Sequence, residues 1–141
     1  MNYWLIKSEP ESYSLDDFRK EKIGRWDGVR NYTARNNLRA MQIDDICIFY
    51  RSVTKPAIIA LSRVTCEAYP DPTVEDPKDL DRWSCVEVEL TEEFPTELSL
   101  ADIKTNDLLK DMALLKLSRL SVQPVRADEF EEICRICRTK K

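Results

Sequence analysis

The stretch WDGVRNYTARN, residues 26–36, decides how the rest of the chain is read. It turns a polar, glycine-marked loop into a helix between runs of strand. Gly24 and Gly28 are the two glycines of the whole chain, which marks them as positions of special torsion or close approach. From Asn31 to Met41, Ala34, Leu38 and Met41 recur at helical spacing, predicting a helix with one buried stripe. Arg35 and Arg39 lie one turn apart on another face. Upstream, YWLIK (3–7) reads as a short strand ended by Pro10, and Ser14 with Asp17 forms a capping box for a helix reaching about Lys20. Downstream, strands are expected at Ile46–Tyr50, Ala57–Ala68 and in WSCVEVEL (83–90), where Val86, Val88 and Leu90 alternate with outward Glu87 and Glu89. Trp83 and Cys85 share that outward parity. A polar loop with Pro70, Pro72 and Pro77 precedes Trp83. A short helix from Ser99, a strand near Ser121–Val125 and a C-terminal helix burying Phe130, Ile133, Cys134 and Cys137 complete the chain. Strands in the middle with helices at both ends and in the crossings predict an α+β domain. Its sheet is mixed or antiparallel, of about five to six strands, partly closed into a barrel and flanked by helices.

At 141 residues the chain has the length of one domain, 1–141. No run approaches the roughly 20 apolar residues of a membrane span. The start, MNYWLIKSEPE, lacks a signal peptide's layout. The expected place is the cytoplasm, or the nucleus where the source has one, with no membrane partner. Five cysteines, an odd number, argue against a disulfide framework. Cys134 and Cys137 form a C-x-x-C pair, but a structural zinc site wants four ligands. The other cysteines are scattered and histidine is absent. Buried thiols are expected, with no metal and no cofactor. The lack of histidine also excludes Ser-His-Asp and Cys-His hydrolysis. The net charge of −4 hides an asymmetry: between Arg19 and Arg63 ten Lys or Arg face four Asp or Glu. A basic patch on an acidic protein holds phosphates locally while weakening indiscriminate binding to polyanions.

Four segments, YWLIKSEP (3–10), WDGVRNYTARN (26–36), IFY (48–50) and RLSVQPV (119–125), together resemble the EVE domain family. The resemblance spans essentially the whole chain. It implies a PUA-like pseudobarrel related to the YTH domain, which reads methylated adenine in RNA. It also implies a reader of modified DNA bases with an aromatic-lined pocket. One departure follows IFY: Arg51 stands where the family often has histidine, and Ala57 and Ala60 where it often has glycine.

Trp26 is the central candidate. By chemistry alone a tryptophan in such a loop either stacks on a base or plugs one end of the barrel. The resemblance to the first cage tryptophan of YTH domains favours the base. Lys7 and Ser8, in the Lys-Ser-Glu turn that the family resemblance places at the same pocket, would read a base edge, although a turn serine can also bond its own backbone. Asn31 would bond a base edge or cap the helix, and Tyr32 would be a pocket wall or core. Trp83 would close the cage or be covered by the loop 69–82, while Trp4 is expected in the core. Arg30, at a helix N-terminus, suits a phosphate. Arg35, Arg39 and Arg119 extend the phosphate surface, with Lys55 and Arg63 weaker candidates. Arg119, Ser121 and Gln123 alternate on one face of RLSVQPV and would line a groove. The leading reading is a non-enzymatic DNA- or RNA-binding module for a modified base such as cytosine or adenine. Two others stand beside it: a small amidohydrolase of modified nucleosides using Lys7 and Glu9, and a protein adaptor using the acidic stretch 67–102.

Overall fold

The computed structural model describes residues 1–139. Six strands form one mixed sheet in the order β2-β5-β4-β3-β1-β6. They are β1 (Tyr3–Ser8), β2 (Ile23–Trp26), β3 (Ile46–Arg51), β4 (Ala57–Pro70), β5 (Ser84–Ser99) and β6 (Val122–Val125). The helices are α1 (Leu15–Glu21), α2 (Tyr32–Ala40), α3 (Leu100–Thr105), α4 (Ala113–Lys116) and α5 (Ala127–Cys137). Only β1 and β3 pair in parallel; the other pairings are antiparallel. Repeated register shifts between β4 and β5 bend those long strands, as bulges do.

The sheet is covered on both faces, which is why β1 and β3 are continuous apolar runs rather than alternating ones. One core holds Trp4, Ile6, Phe18, Leu38, Phe49 and Val86. The other holds Leu5, Ile48, Ile58, Leu98, Ile103 and Ile133 under α3 to α5. A fully covered side chain such as Phe18 contributes about 1.5–3 kcal/mol. Helix α2 packs against β4, β5 and β6. Asn37 Nδ2 donates to the Val122 carbonyl at 2.7 Å and Arg39 Nε to Ser84 Oγ at 3.0 Å. The helix thus spans the gap between the two sides of a curled sheet whose end strands do not pair, giving an α+β pseudobarrel.

The Ser14–Asp17 capping box is present, and the Ala34, Leu38 and Met41 stripe is buried. Trp4 is in the core with its indole N–H on Asp45 Oδ2 at 3.1 Å. Other expectations need correction. Gly24 is not in a loop but in β2, so Trp26 ends an edge strand; of the two glycines Gly28 has the positive φ, of 75°. Strand β5 continues through Phe94 and Pro95 to Ser99, well past Leu90. Cys85 does not face outward but is fully buried, because the extension of β4 brings Tyr69 opposite it. Gln123 is not on an open groove face. It is fully buried opposite Leu5 and donates to the Leu120 carbonyl at 2.7 Å, because the strand starts only at Val122 and the preceding turn folds back over it.

Candidate nucleic-acid interface

Strand β1 ends at Lys7 and Ser8, and β2 ends at Trp26. Between them opens a cavity of about 280 Å³, walled by these residues with Glu9, Tyr13 and Asp27. That volume is at the small end of ligand pockets. Trp26 is the cavity's apolar wall and also part of the core, only 8% exposed. Tyr13 and Phe49 meet it nearly edge-on, with centroids at 5.8 and 5.9 Å. Its core packing matches the barrel-plug meaning that the sequence left open, and the same ring also borders the cavity.

The polar groups of the cavity are held in defined states. Ser8 Oγ donates to the Tyr13 carbonyl at 2.5 Å, so its proton is committed and its lone pairs are left to accept. Lys7 Nζ donates to the Ser118 carbonyl at 2.6 Å, and burial lowers its pKa. The Tyr13 hydroxyl is buried and has no hydrogen-bond partner. Burial first, then the charges of Glu21 and Asp17, push its pKa up to about 12, so it stays protonated. Tyr13 lies across Gly24, where any Cβ would meet the hydroxyl at 2.8 Å. That close approach, not an unusual torsion, explains this glycine.

The loop after Trp26 is anchored by Asp71, whose side chain is fully buried. Its carboxylate accepts from Gly28 N at 2.7 Å, Arg30 Nη1 at 3.1 Å, Thr73 N at 2.8 Å and Thr73 Oγ1 at 2.6 Å. Burial raises its pKa, but these hydrogen bonds from Thr73, Gly28 and Arg30 outweigh it and hold the carboxyl below its ordinary value.

The remaining sequence candidates lie outside the cavity. Asn31 caps α2, its Oδ1 accepting from Ala34 N at 2.9 Å. It lines a shallower groove of about 430 Å³ with Thr33, Lys116 and Arg119. Tyr32 is exposed and stacks on Trp83 with centroids 5.0 Å apart and planes at 23°. The Arg35 guanidinium lies 4.8 Å from the Tyr32 ring centre and Arg30 5.6 Å from that of Trp83. Tyr32 and Trp83 thus form a surface ledge beside the cavity, not part of its wall. Arg35 Nη1 reaches the Arg82 carbonyl at 3.1 Å, and Arg39 Nη2 the Asp81 carbonyl at 2.8 Å.

Twelve arginines occur in the chain. Nine have a carboxylate within 4.0 Å, Arg30 among them. The three without one among the described residues are Arg35, Arg39 and Arg119, all predicted phosphate contacts. The acidic residues of β5 are engaged internally: Glu89 by Arg63, Glu92 by Arg138, Glu93 by Arg19 and Glu97 by Arg51. Tyr13 and Asp71 escaped the sequence reading. The Pro-Asp-Pro run at 70–72, a turn signal with a side-chain acceptor, could have flagged Asp71; nothing local flags Tyr13. All five cysteines are free thiols. Among the described residues no group of three or more His, Cys, Asp or Glu is placed to hold a metal ion, and no helix is long and apolar enough to cross a membrane.

The model of the EVE domain matches residues 2–136. Thymocyte nuclear protein 1 of Mus musculus is 39% identical over 162 residues, covering 94% of this chain and 72% of that protein. The crystal structure of human THYN1 protein in complex with 5-methylcytosine-containing DNA superposes with a TM-score of 0.89 at 32% identity, covering all of both chains. The YTH domain of Zygosaccharomyces rouxii MRB1 protein, in complex with N6-methyladenosine RNA, shares the fold with a TM-score of 0.58 at 11% identity, over 99% of this chain and 86% of that one. A match over almost the full length, joined to the pocket between β1 and β2, places the chain in the EVE domain family.

Proposed function

We propose that this chain, acting as one domain over residues 1–141, is a non-catalytic reader of a modified base in DNA or RNA. The base sits in the cavity against Trp26, with Lys7 and Ser8 at its polar edge. The observation that carries this reading is the Tyr13 hydroxyl, protonated, buried and unpartnered on the wall of a cavity lined by Trp26. An unpaired buried polar atom is costly unless a ligand completes it. Ser8 narrows the base. An accept-only hydroxyl suits the exocyclic amino group of cytosine or adenine and opposes the carbonyl of thymine or guanine. The human protein's complex with 5-methylcytosine DNA supports the same choice. Arg35, Arg39 and Arg119 supply phosphate contacts, and Arg30 with Tyr32 and Trp83 lies against the flanking strand. Asn31 orders the helix that presents them.

Binding is favoured over hydrolysis because the Lys7 amine is engaged by the Ser118 carbonyl, and no ion pair joins it to Glu9 among the described residues. The internal pairing of the β5 carboxylates likewise speaks against the acidic adaptor. Cytoplasm or nucleus, where such polymers are found, is the compartment we assign. The test is a panel of oligonucleotides containing 5-methylcytosine, N6-methyladenine or plain bases, at two salt concentrations. Wild type should prefer a modified cytosine or adenine, and Trp26→Phe, which keeps an aromatic core residue, should weaken that preference. Equal binding to plain and modified strands would overturn the proposal.

A further inference from the structure

The turn between β3 and β4 is held in a shape its sequence resists. Val53 has a φ of 69°, and the Thr54 amide donates to the Ser52 carbonyl at 2.8 Å. Val53 is therefore the middle residue of a γ-turn of positive φ, which is rare and strained. A β-branched residue in that region is an outlier, where glycine or asparagine is the usual solution. Two clamps enforce the shape. The Ser52 amide donates to the Ser8 carbonyl at 2.9 Å. The Arg51 guanidinium holds the Lys55 carbonyl through Nε at 3.1 Å and Nη2 at 2.9 Å, and Glu97 through Nη1 and Nη2.

This strain returns nothing to folding, because the Val53 side chain does not pack: the residue is 69% exposed. Strain that the surroundings over-determine clusters at ligand clamps. The place is specific. Parallel pairing sets Ser8 opposite Arg51, so β1 and β3 end at the same edge of the sheet. Val53 sits one residue beyond the bond to Ser8, a wall of the cavity.

We propose that Val53 is an apolar wedge that enters the base stack of a duplex when a base leaves it for the cavity. The idea rests on the base-reading function above. Extruding a base costs unstacking and unpairing and leaves a hole. An apolar side chain between base steps is a recurrent way for a protein to hold such a hole open. The pocket wall and the wedge share one rigid support in β1 and β3. Lys55, which has no carboxylate partner among the described residues, flanks the tip with a positive charge.

The test compares wild type with Val53→Gly, which takes a positive φ freely and removes the wedge. The ligands are a short DNA duplex with one central 5-methylcytosine or N6-methyladenine, its unmodified counterpart, and the same modified strand without its complement. Val53→Gly should weaken modified-duplex binding by about tenfold and leave single-strand binding within about twofold, since a single strand has no hole to fill. Its thermal midpoint should not fall, which separates the effect from misfolding. If the wild type prefers modified bases but Val53→Gly binds both forms as wild type does, or loses both equally, the wedge is overturned and base reading stands. If the wild type shows no such preference, both fall together.

Discussion

Replacing Asp71 with alanine tests whether the loop that carries Trp26 is held by one carboxylate. Four hydrogen bonds converge on that side chain, from Gly28 N, Arg30 Nη1, Thr73 N and Thr73 Oγ1, and the side chain is fully buried. A hydrogen bond to a charged group contributes about 1.5–3 kcal/mol. Here the donor residues Gly28, Arg30 and Thr73 are all exposed, so each donor can regain water once the carboxylate is gone. The net loss is therefore well below the sum of the four bonds, about 3–5 kcal/mol. For a chain of this size that lowers the thermal midpoint by roughly 10–20 °C. The pH dependence has a fixed sign. Hydrogen bonding holds the folded-state pKa of Asp71 below its ordinary value. Its stabilisation is therefore fully present above the unfolded pKa, about 3.9, and is lost as pH falls through the folded value. Calorimetric melts of wild type and Asp71→Ala should show a gap near neutrality that narrows below about pH 4. A variant that melts within a degree or two of wild type at pH 7, or a gap that widens in acid, would refute the reasoning.

Arg35→Gln, Arg39→Gln and Arg119→Gln should each weaken oligonucleotide binding at low salt and reduce the slope of log affinity against log salt by about one. Arg63→Gln, whose charge is already held by Asp44 and Glu89, should leave the slope unchanged; equal effects from all four would contradict the assignment. On α5, hydrogen bonds from Arg135 and then Asn106 lower the Glu132 pKa to about 2. Its stabilisation, about 2 kcal/mol after allowing for the exposure of Arg135, is present above the unfolded carboxylate range and is lost as pH falls toward about 2. Glu132→Gln should therefore be less stable than wild type near neutrality and nearly equal to it in strong acid, by urea denaturation.

The parts legible in the sequence were those fixed by local rules. The Ser14 capping box, the stripe on α2 and the alternation in the first half of β5 each depend on neighbours in the chain. The basic balance of 19–63 marked a basic stretch, but which of its arginines lack a carboxylate partner could be read only from the fold. The illegible parts depend on long-range pairing. IGRW, four residues with a glycine, has no strand signature and becomes β2 only because β5 offers a partner edge. Gln123 looked like a groove residue because parity cannot show that the preceding turn covers it. Tyr32 and Trp83 were grouped with Trp26 as aromatic, yet they sit on the ledge because Trp83 follows a strap fastened to α2 through Arg35 and Arg39. The cavity itself needed the fold, since Tyr13 and Trp26 meet only when the turn before α1 lies across Gly24.

The two walls of the cavity belong to strands of very different standing in the sheet. Strand β1 is paired on both sides, by β3 and β6, so its backbone amides open only in near-global unfolding events. Strand β2 is a four-residue edge paired only to β5, the kind of element that opens locally at less cost than an interior strand. Lys7 and Ser8 are thus a fixed jaw and Trp26 a yielding one. A ligand that grips both walls must slow amide exchange along Ile23–Trp26 while leaving β1, already protected, almost as it was. The free energy of quieting that edge is drawn from the binding, so affinity here is set in part by how often β2 lets go.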